Sequence, residues 1–243
     1  MRMRFKPYAR PELMAADFHV HDPFTSAGTW HQKFARPSQP FMLEFGCGKG
    51  GFISRLAVEH PENNYAGFDI TDKVLILAKR KIEAAYAAAG RPIDNVVILS
   101  ADIERILNVL NAEDTVSRIY INFCNPWSKN ASSNKHRLTH PRQLIQYRTF
   151  LCDGGEVYFK TDDDDLFRDS LEYFPAAGYE ITWKTFDLHQ NEPDWNIRTE
   201  HEGMFTEQGI PIKALIAKKI PGDESVTWVE PKVLAKELEP EET

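Results

Sequence analysis

Short apolar segments alternate with longer amphipathic segments along most of the chain, and the two patterns predict strands and helices in turn. The strand-like segments, each bounded by Gly, Pro, Asn or Asp, are residues 41–45, 65–69, 96–100, 118–123 and 156–160. Helical spacing of apolar residues occupies residues 51–60, 72–90, 141–155 and 164–178. Because parallel strands covered on both faces are short and continuously apolar, this alternation predicts an α/β fold with a doubly wound sheet.

Two later segments alternate apolar and polar residues, which is the pattern of strands with one buried face. They are residues 179–186 and 210–219, separated by a polar loop. We expect them to form an antiparallel hairpin at one edge of the sheet. The predicted organisation is a basic N-terminal arm, the α/β domain and a mobile acidic tail, over residues 1–40, 41–220 and 221–243.

The net charge of the chain conceals an uneven distribution. The charge is −7 in total, and the tail holds seven acids and two lysines. Basic residues cluster elsewhere, at Arg2, Arg4, Lys6 and Arg10, at Lys79, Arg80 and Lys81, and at Lys129, Lys135 and Arg137. Such clusters are often only solvated surface, but they also suit the phosphates of a nucleic acid.

No segment has the composition of a membrane span or a secretory signal. Every apolar stretch is shorter than the roughly 18 residues that cross a bilayer, and no apolar region follows the basic N-terminal residues. The spacing of Cys47, Cys124 and Cys152 fits neither a disulfide framework nor a zinc site. We therefore expect a cytoplasmic protein with no membrane partner and no metal, either a monomer or a homodimer.

A glycine-rich loop follows the first strand of the predicted domain. Gly46, Gly48 and Gly50 occupy alternating positions, and Gly51 adjoins them. Glycines at a strand-to-helix turn permit a sharp bend and let a ligand approach the backbone closely. The spacing also matches the dinucleotide-binding fingerprint, which is weak by itself. The loop indicates a nucleotide cofactor, and a purely structural glycine turn is the alternative.

Three carboxylates at the ends of successive predicted strands help to distinguish between cofactors. Glu44 precedes the first glycine by two residues, Asp69 ends the second strand, and Asp102 follows the third. Glu44 would attract an amino group and repel a pyrophosphate, Asp69 can accept from ribose hydroxyls, and Asp102 can accept from an adenine amine. Three acids in one crevice favour S-adenosylmethionine over NAD.

An Asn-Pro-Trp corner follows the fourth strand, at the edge of the sheet where doubly wound folds bind ligands. Asn125 offers a carbonyl and an NH₂ group, Pro126 fixes the backbone, and the ring of Trp127 can stack or pack. The corner resembles the motif of methyltransferases that act on base nitrogens. The structural alternative is a β-to-α turn with a core tryptophan.

Several separated stretches occur in the order found in one enzyme family. They are NFCNPWSKNASSNKHRLT, GGEVYFKTDDDDLFRDSL, TFDLHQ and RTEHEGMFTEQGIPIKALI. From about Phe41 to Lys219 the chain resembles the bacterial tRNA (guanine-N7)-methyltransferases. The resemblance implies a Rossmann-like class I methyltransferase fold, S-adenosylmethionine as cofactor, and tRNA as partner, methylated at the variable-loop guanine at position 46.

The resemblance also implies roles for individual residues. The catalytic position is Asn125; the cofactor would be bound by Glu44, Gly46, Gly48, Gly50, Asp69, Asp102 and Asn125, and the substrate by Lys129, Asp162, Thr199, Glu200, His201 and Glu202. The family usually has Asp at position 125 and a denser basic run after it. Because guanine N7 carries a free lone pair, its methylation needs no general base. An aspartate could accept from the guanine N1–H and N2–H₂ groups and stabilise the positive charge that develops on the base, whereas asparagine offers one neutral carbonyl, so we expect Asn125 to slow the reaction.

Three other functions remain open on the sequence. They are a catalytically weak tRNA-binding relative, a nicotinamide oxidoreductase, which Glu44 argues against, and a methyltransferase for another nucleic acid or a small molecule. The acidic run at residues 162–165 is interpreted as a helix cap rather than a metal site, since consecutive acids at a helix start cannot all face one ion.

Overall fold

The computed structural model describes residues 7–128, 131–222 and 226–228, and eight strands of this part form one sheet. In chain order the strands are β1 (His19–Val20), β2 (Phe41–Phe45), β3 (Asn64–Asp69), β4 (Val96–Ser100), β5 (Val116–Asn122), β6 (Leu151–Thr161), β7 (Tyr179–Thr185) and β8 (Lys213–Lys219). Their spatial order is β1-β4-β3-β2-β5-β6-β8-β7. The first six run parallel, whereas β8 is antiparallel to both β6 and β7. The predicted doubly wound sheet with an antiparallel edge pair is confirmed.

Helices cover both faces of the sheet and divide the core into two main clusters. They are α1 (Ala9–Met14), α2 (Gly51–Glu59), α3 (Asp72–Ala89), α4 (Pro141–Arg148), α5 (Asp164–Ala176) and α6 (Glu200–Glu207). One cluster packs α1, α2 and α3 on the sheet through residues such as Leu13, Leu56 and Ile76. The other packs α4 and α5 on the opposite face through residues such as Tyr147 and Phe167. None of the described helices combines the length and apolarity that a membrane span requires.

Most predicted elements match the structure closely, but α4 is shorter than predicted, and β1 and α6 were not predicted. The strands predicted at residues 41–45 and 96–100 have these bounds in the structure. The helix predicted to continue to residue 155 ends at Arg148 instead, and β6 begins at Leu151. The helix ends there because the following residues pair with β5. The backbone N–H of Val116, at the start of β5, donates to the carbonyl of Phe150 at 2.7 Å.

The described part of the N-terminal segment, residues 7–40, packs along the edge of the sheet. Its β1 pairs with β4 in parallel, with His19 opposite Ile98. Trp30 is fully buried, and its indole Nε1 donates to the carbonyl of Val109 at 2.7 Å. The division of the chain at residue 40 stays a prediction, and almost all of the predicted acidic tail lies outside the described residues.

The turn from the glycine loop into α2 depends on a residue without a side chain. Gly50 has φ +75°, and a Cβ atom there would lie 2.6 Å from Cα of Ala78 in α3. Two constraints therefore act on Gly50: a left-handed backbone conformation and the close approach of two helices.

We expect Gly50→Ala to lower the free energy of unfolding by about 3 kcal/mol, because strain and overpacking act together. Gly90→Ala is the matched control, since Gly90 has φ +63° and a Cβ atom there would have no neighbouring atom within 4 Å. It should cost only about 1 kcal/mol. Urea unfolding of the cofactor-free variants measures both values, and equal losses would show that the contact with Ala78 is unimportant.

Candidate active site

A cleft of about 80 Å³ opens where the order of the strands reverses, between the carboxyl ends of β2 and β5. Its floor includes Glu44 from β2 and Asn122 from β5. The glycine loop forms one wall, and residues 199–201 at the start of α6 form another. Ligands bind at this point of a doubly wound sheet because loops from neighbouring strands diverge there and leave a crevice.

The glycine loop bends back over the end of β3. Gly46, Gly48 and Gly50 have φ values of +75°, +54° and +75°, which disfavour any residue with a side chain. The backbone N–H groups of Gly46 and Cys47 both donate to the carbonyl of Phe68, at 2.9 and 2.8 Å. The three glycines were predicted to share one turn, and the structure places them there.

Glu44 is a buried carboxylate with one free oxygen. The side-chain amide of Asn122 donates to its Oε1 at 3.1 Å, whereas Oε2 has no hydrogen-bond partner among the residues that the structure describes. Burial raises the pKa of Glu44 to about 7. A buried oxygen without a donor is costly, so the floor of the cleft is suited to a ligand that brings an N–H group.

Asp69 is joined to the glycine loop by hydrogen bonds. Its Oδ2 accepts from the backbone N–H of Gly48 at 3.1 Å, and its Oδ1 accepts from that of Thr71 at 3.2 Å. Burial raises the pKa of this carboxyl group above its ordinary value. Each oxygen keeps a second lone pair, so Asp69 can still accept from a pair of hydroxyl groups.

Asp102 lies beyond the end of β4 and has a local role as well. Its side chain accepts from the backbone N–H of Glu104 at 3.0 Å and caps the 3₁₀ helix Ile103–Asn108. The N–H of Ala101 donates to the carbonyl of Asp69 at 3.0 Å, which keeps the two strand ends together. Beside Asp69, Ile70 leaves 67% of its surface exposed. The sequence analysis missed this apolar residue, which offers a flat ring an apolar contact.

The Asn-Pro-Trp corner is held rigidly but lies outside the lining of the cleft. Asn125 is exposed, and its Oδ1 accepts from the backbone N–H of Trp127 at 3.0 Å. Trp127 has φ +51°, and buried Arg137 donates to the carbonyl of Pro126 at 2.7 Å. The amide oxygen of Asn125 thus uses one of its two lone pairs in the turn and keeps the other beside the NH₂ group. The catalytic role of Asn125 stays a prediction.

A capping box presents the predicted substrate segment to the cleft. Oγ1 of Thr199 accepts from the N–H of Glu202 at 3.0 Å, and Oε2 of Glu202 accepts from the N–H of Thr199 at 3.2 Å. Glu200 and His201, between these two residues, line the cleft. Glu200 forms an ion pair with Lys81 beside the glycine loop.

Glu202 itself is fully buried and faces away from the ligand space. Its carboxylate pairs with Lys160 and with His189, both at 2.8 Å, and accepts from Asn196 at 2.7 Å. Burial raises the pKa of Glu202, but the Lys160 ammonium outweighs this and leaves the pKa below its ordinary value. The observed contacts of Glu202 hold neighbouring residues in place, and direct substrate contact stays a prediction.

Aromatic rings stand at the mouth of the cleft. Phe123, which follows β5 with φ +52°, lies nearly parallel to His201, with 6.0 Å between ring centroids. Phe205 adjoins both, at 5.9 Å from Phe123 and 6.5 Å from His201. The sequence analysis missed Phe123 because it was counted as the last residue of a strand. Such rings suit a base that leaves its stack.

Among the described substrate residues of the prediction, Asp162 lies apart from the cleft lining. Asp162 follows β6, and burial raises its pKa above the ordinary value. The next acid, Asp163, accepts from the N–H of Leu166 at 2.7 Å and caps α5, which confirms the interpretation of the acidic run as a helix cap. Lys129 falls outside the described residues.

Comparison with known proteins shows which family the chain matches. A family model described as "Putative methyltransferase" matches residues 38–215. A tRNA (guanine-N(7)-)-methyltransferase of Clostridium perfringens is 53% identical over 90% of this chain and 100% of its own length. One from Clostridium beijerinckii is 55% identical over 90% of this chain and 99% of its own length.

Solved structures of low identity support the fold. The 16S rRNA methyltransferase KamB is 13% identical, with a TM-score of 0.52 over 90% of this chain and 96% of its own. TrmN from Thermus thermophilus is 19% identical, with a TM-score of 0.51 over 75% of this chain and 45% of its own. At these identities the likeness concerns only the course of the backbone.

The raised pKa of Glu44 predicts a dependence of stability on pH. Its ordinary value is 4.5, so the folded chain holds this proton more tightly than the unfolded chain does. The stabilisation is complete below about pH 4.5 and is lost as the pH rises through about 7. Between about pH 5 and pH 8, Glu44→Gln should gain about 2 kcal/mol of unfolding free energy relative to the parent.

Urea unfolding of the cofactor-free parent and variant at several pH values measures this difference. Glu172→Gln, at an exposed position on α5, is the control and should show no change with pH. A constant difference between parent and Glu44→Gln across the pH range would mean that Glu44 is ionised in the folded chain throughout.

Proposed function

Because the chain belongs to the tRNA (guanine-N(7)-)-methyltransferase family, we propose that it methylates N7 of the variable-loop guanine at position 46 of tRNA. The reaction is S-adenosylmethionine-dependent methylation of guanine N7 in tRNA. The observation that carries the assignment of the cleft is the free Oε2 of Glu44, buried beside the glycine loop.

Glu44 in the cleft lining and Asp69, Ile70 and Asp102 at the neighbouring strand ends, outside that lining, fit S-adenosylmethionine. Glu44 would accept from the amino group of its methionine part, and Asp69 would accept from the ribose hydroxyls. The glycines of the loop would let the ligand approach the backbone closely, and exposed Ile70 would pack against the adenine, with Asp102 at its amine. A pyrophosphate would meet two carboxylates at this place, which disfavours a nicotinamide cofactor.

When bound, S-adenosylmethionine supplies a methyl group on a positively charged sulfur. The lone pair of guanine N7 attacks without loss of a proton, so no residue has to act as a base. The chain's task is to align the base with the cofactor and to offset the positive charge that develops on guanine. Phe123 and His201 would stack on the base, and Glu200 would supply negative charge at the wall of the cleft.

Basic residues around the cleft would bind the tRNA backbone. Lys49 lines the cleft and lies 3.8 Å from Glu200, which also pairs with Lys81. Lys129 and Lys135 follow the Asn-Pro-Trp corner in sequence, whereas Arg137, the last cation of this run, is buried and pairs with Asp169. On binding, these lysines would displace counterions from the phosphates, so tRNA binding would weaken as the salt concentration rises. We place the protein in the cytoplasm, with its substrate.

A second candidate function is a tRNA-binding relative with weak catalysis, and the contacts of Asn125 favour it. Its only side-chain oxygen already accepts from the N–H of Trp127, which leaves one neutral lone pair for a base. An aspartate could use one oxygen for this turn and keep a charged second oxygen for guanine. The asparagine instead presents NH₂, a donor of the wrong polarity for the guanine N1–H and N2–H₂ groups.

The proposed function is tested with total tRNA, unmodified at the target, and a methyl donor labelled on its methyl group. We expect label at N7 of the variable-loop guanine and none in a transcript with adenine at that position. Label at a different nucleotide would reject position 46. Tight binding of S-adenosylhomocysteine without any labelled tRNA would favour the weak relative.

Asn125→Asp should raise kcat about tenfold on unmodified tRNA, because a charge-assisted hydrogen bond exceeds a neutral one by about 1.4 kcal/mol. Ser128→Asp, which adds the same charge three residues away at an exposed position, is the matched control and should not raise kcat. Single-turnover methylation of one transcript compares the three proteins. If Asn125→Asp and the parent have equal kcat values, the amide of Asn125 does not slow the reaction.

A further inference from the structure

A buried ion pair lies directly behind the wall of the cleft. Lys160, near the end of β6, has a side chain only 4% exposed, and Glu202 on α6 is fully buried. Their charged atoms Nζ and Oε2 are 2.8 Å apart. The same Nζ donates to Oδ1 of Asn196 at 2.8 Å and to the carbonyl of Ile197 at 3.0 Å. All three ammonium protons are therefore used within residues 196–202.

These contacts hold a segment that has little regular structure of its own. No helix or strand is present between the end of β7 at Thr185 and the start of α6 at Glu200 in this described part of the chain. The segment also packs Trp195 against Tyr158, with ring centroids 5.1 Å apart, and buries Ile197. Lys160 makes side-chain hydrogen bonds that join this segment to the sheet.

The position of Lys160 in the sheet also connects it to the floor of the cleft. Its partner in the register of β5 and β6 is Asn122, the residue that donates to Glu44. Its Nζ lies 5.5 Å from the ring centroid of Phe52, which lines the cleft. One side chain is thus adjacent to the floor and bonded to the segment that forms the opposite wall.

We propose that Lys160 is a positioning residue for methyl transfer, which holds residues 196–202 so that Thr199, Glu200 and His201 face the cofactor and the base. This inference rests on the proposed function of the cleft. A buried ion pair is often no more stabilising than an apolar pair of the same volume. A positioning role explains why a charged pair occupies a place where an apolar pair would serve stability equally well.

Two variants distinguish a role of Lys160 in positioning residues 196–202 from a role in the stability of the fold alone. Lys160→Met removes the three hydrogen bonds and leaves Glu202 buried without its cation, so it should both destabilise the chain and impair the reaction. Lys160→Met combined with Glu202→Gln removes both charges but keeps a side-chain oxygen for the capping box with Thr199, so it should restore the unfolding midpoint to within a few degrees of the parent. Lys219→Met is the control, because Lys219 pairs with Asp153 at 3.2 Å and is remote from the cleft lining.

For the double variant we expect kcat on tRNA to stay at least tenfold below that of the parent, while the KM for S-adenosylmethionine changes less than threefold. Lys219→Met should keep the parental kcat. Recovery of kcat together with stability in the double variant would show that the pair is only structural and would overturn the proposal.

Hydrogen–deuterium exchange gives a readout that needs no activity. In the double variant, amides of residues 196–207 should exchange faster, whereas those of β2 and α2 should be unchanged. Unchanged exchange in residues 196–207 would overturn the positioning role, whatever the substrate is. A parent enzyme that labels no tRNA would instead reject the proposed function, so the two failures are distinguishable.

Discussion

The cleft depends on charges that the sheet removes from water and satisfies only in part. Glu44 has one oxygen bonded to Asn122 and one with no described partner, and burial makes this arrangement costly. Strand β6 carries Lys160, whose charge is satisfied completely by residues 196–202. The sheet therefore carries two buried charged groups. Lys160 is fully hydrogen-bonded and holds one wall of the cleft in place, whereas Glu44 keeps an oxygen that can accept from a ligand.

Backbone geometry complements this electrostatic arrangement. The glycine loop takes left-handed conformations in order to bend over β3, and Asp69 accepts from its Gly48 N–H. The corner at Asn125 uses a side-chain oxygen to complete its own turn. Hydrogen bonds of this kind fix the loops before any ligand arrives, so less conformational entropy has to be lost on binding.

The features predicted best from the sequence are those that depend on a few neighbouring residues. The apolar strands β2 and β4 and the glycine loop follow from a few neighbouring residues, and Glu44 and Asp69 could be placed at strand ends from the same pattern. Helix α6 was missed, although Thr199 and Glu202 have the spacing of a capping box. The contact between Lys160 and Glu202 could not be predicted from the sequence, because the two residues are 42 positions apart. Glu202 was predicted to bind substrate, and Lys160 was not singled out.

The short strand β1 has a consequence for the integrity of the sheet. It contributes only His19 and Val20, yet it covers the outer side of β4, whose apolar residues would otherwise border an open edge. An uncovered strand of this kind is a template for pairing with a second molecule. The opposite edge, β7, carries Glu180 and Lys184, and charges of this type discourage intermolecular pairing. Loss of the N-terminal segment would thus convert a protected sheet into one prone to aggregate.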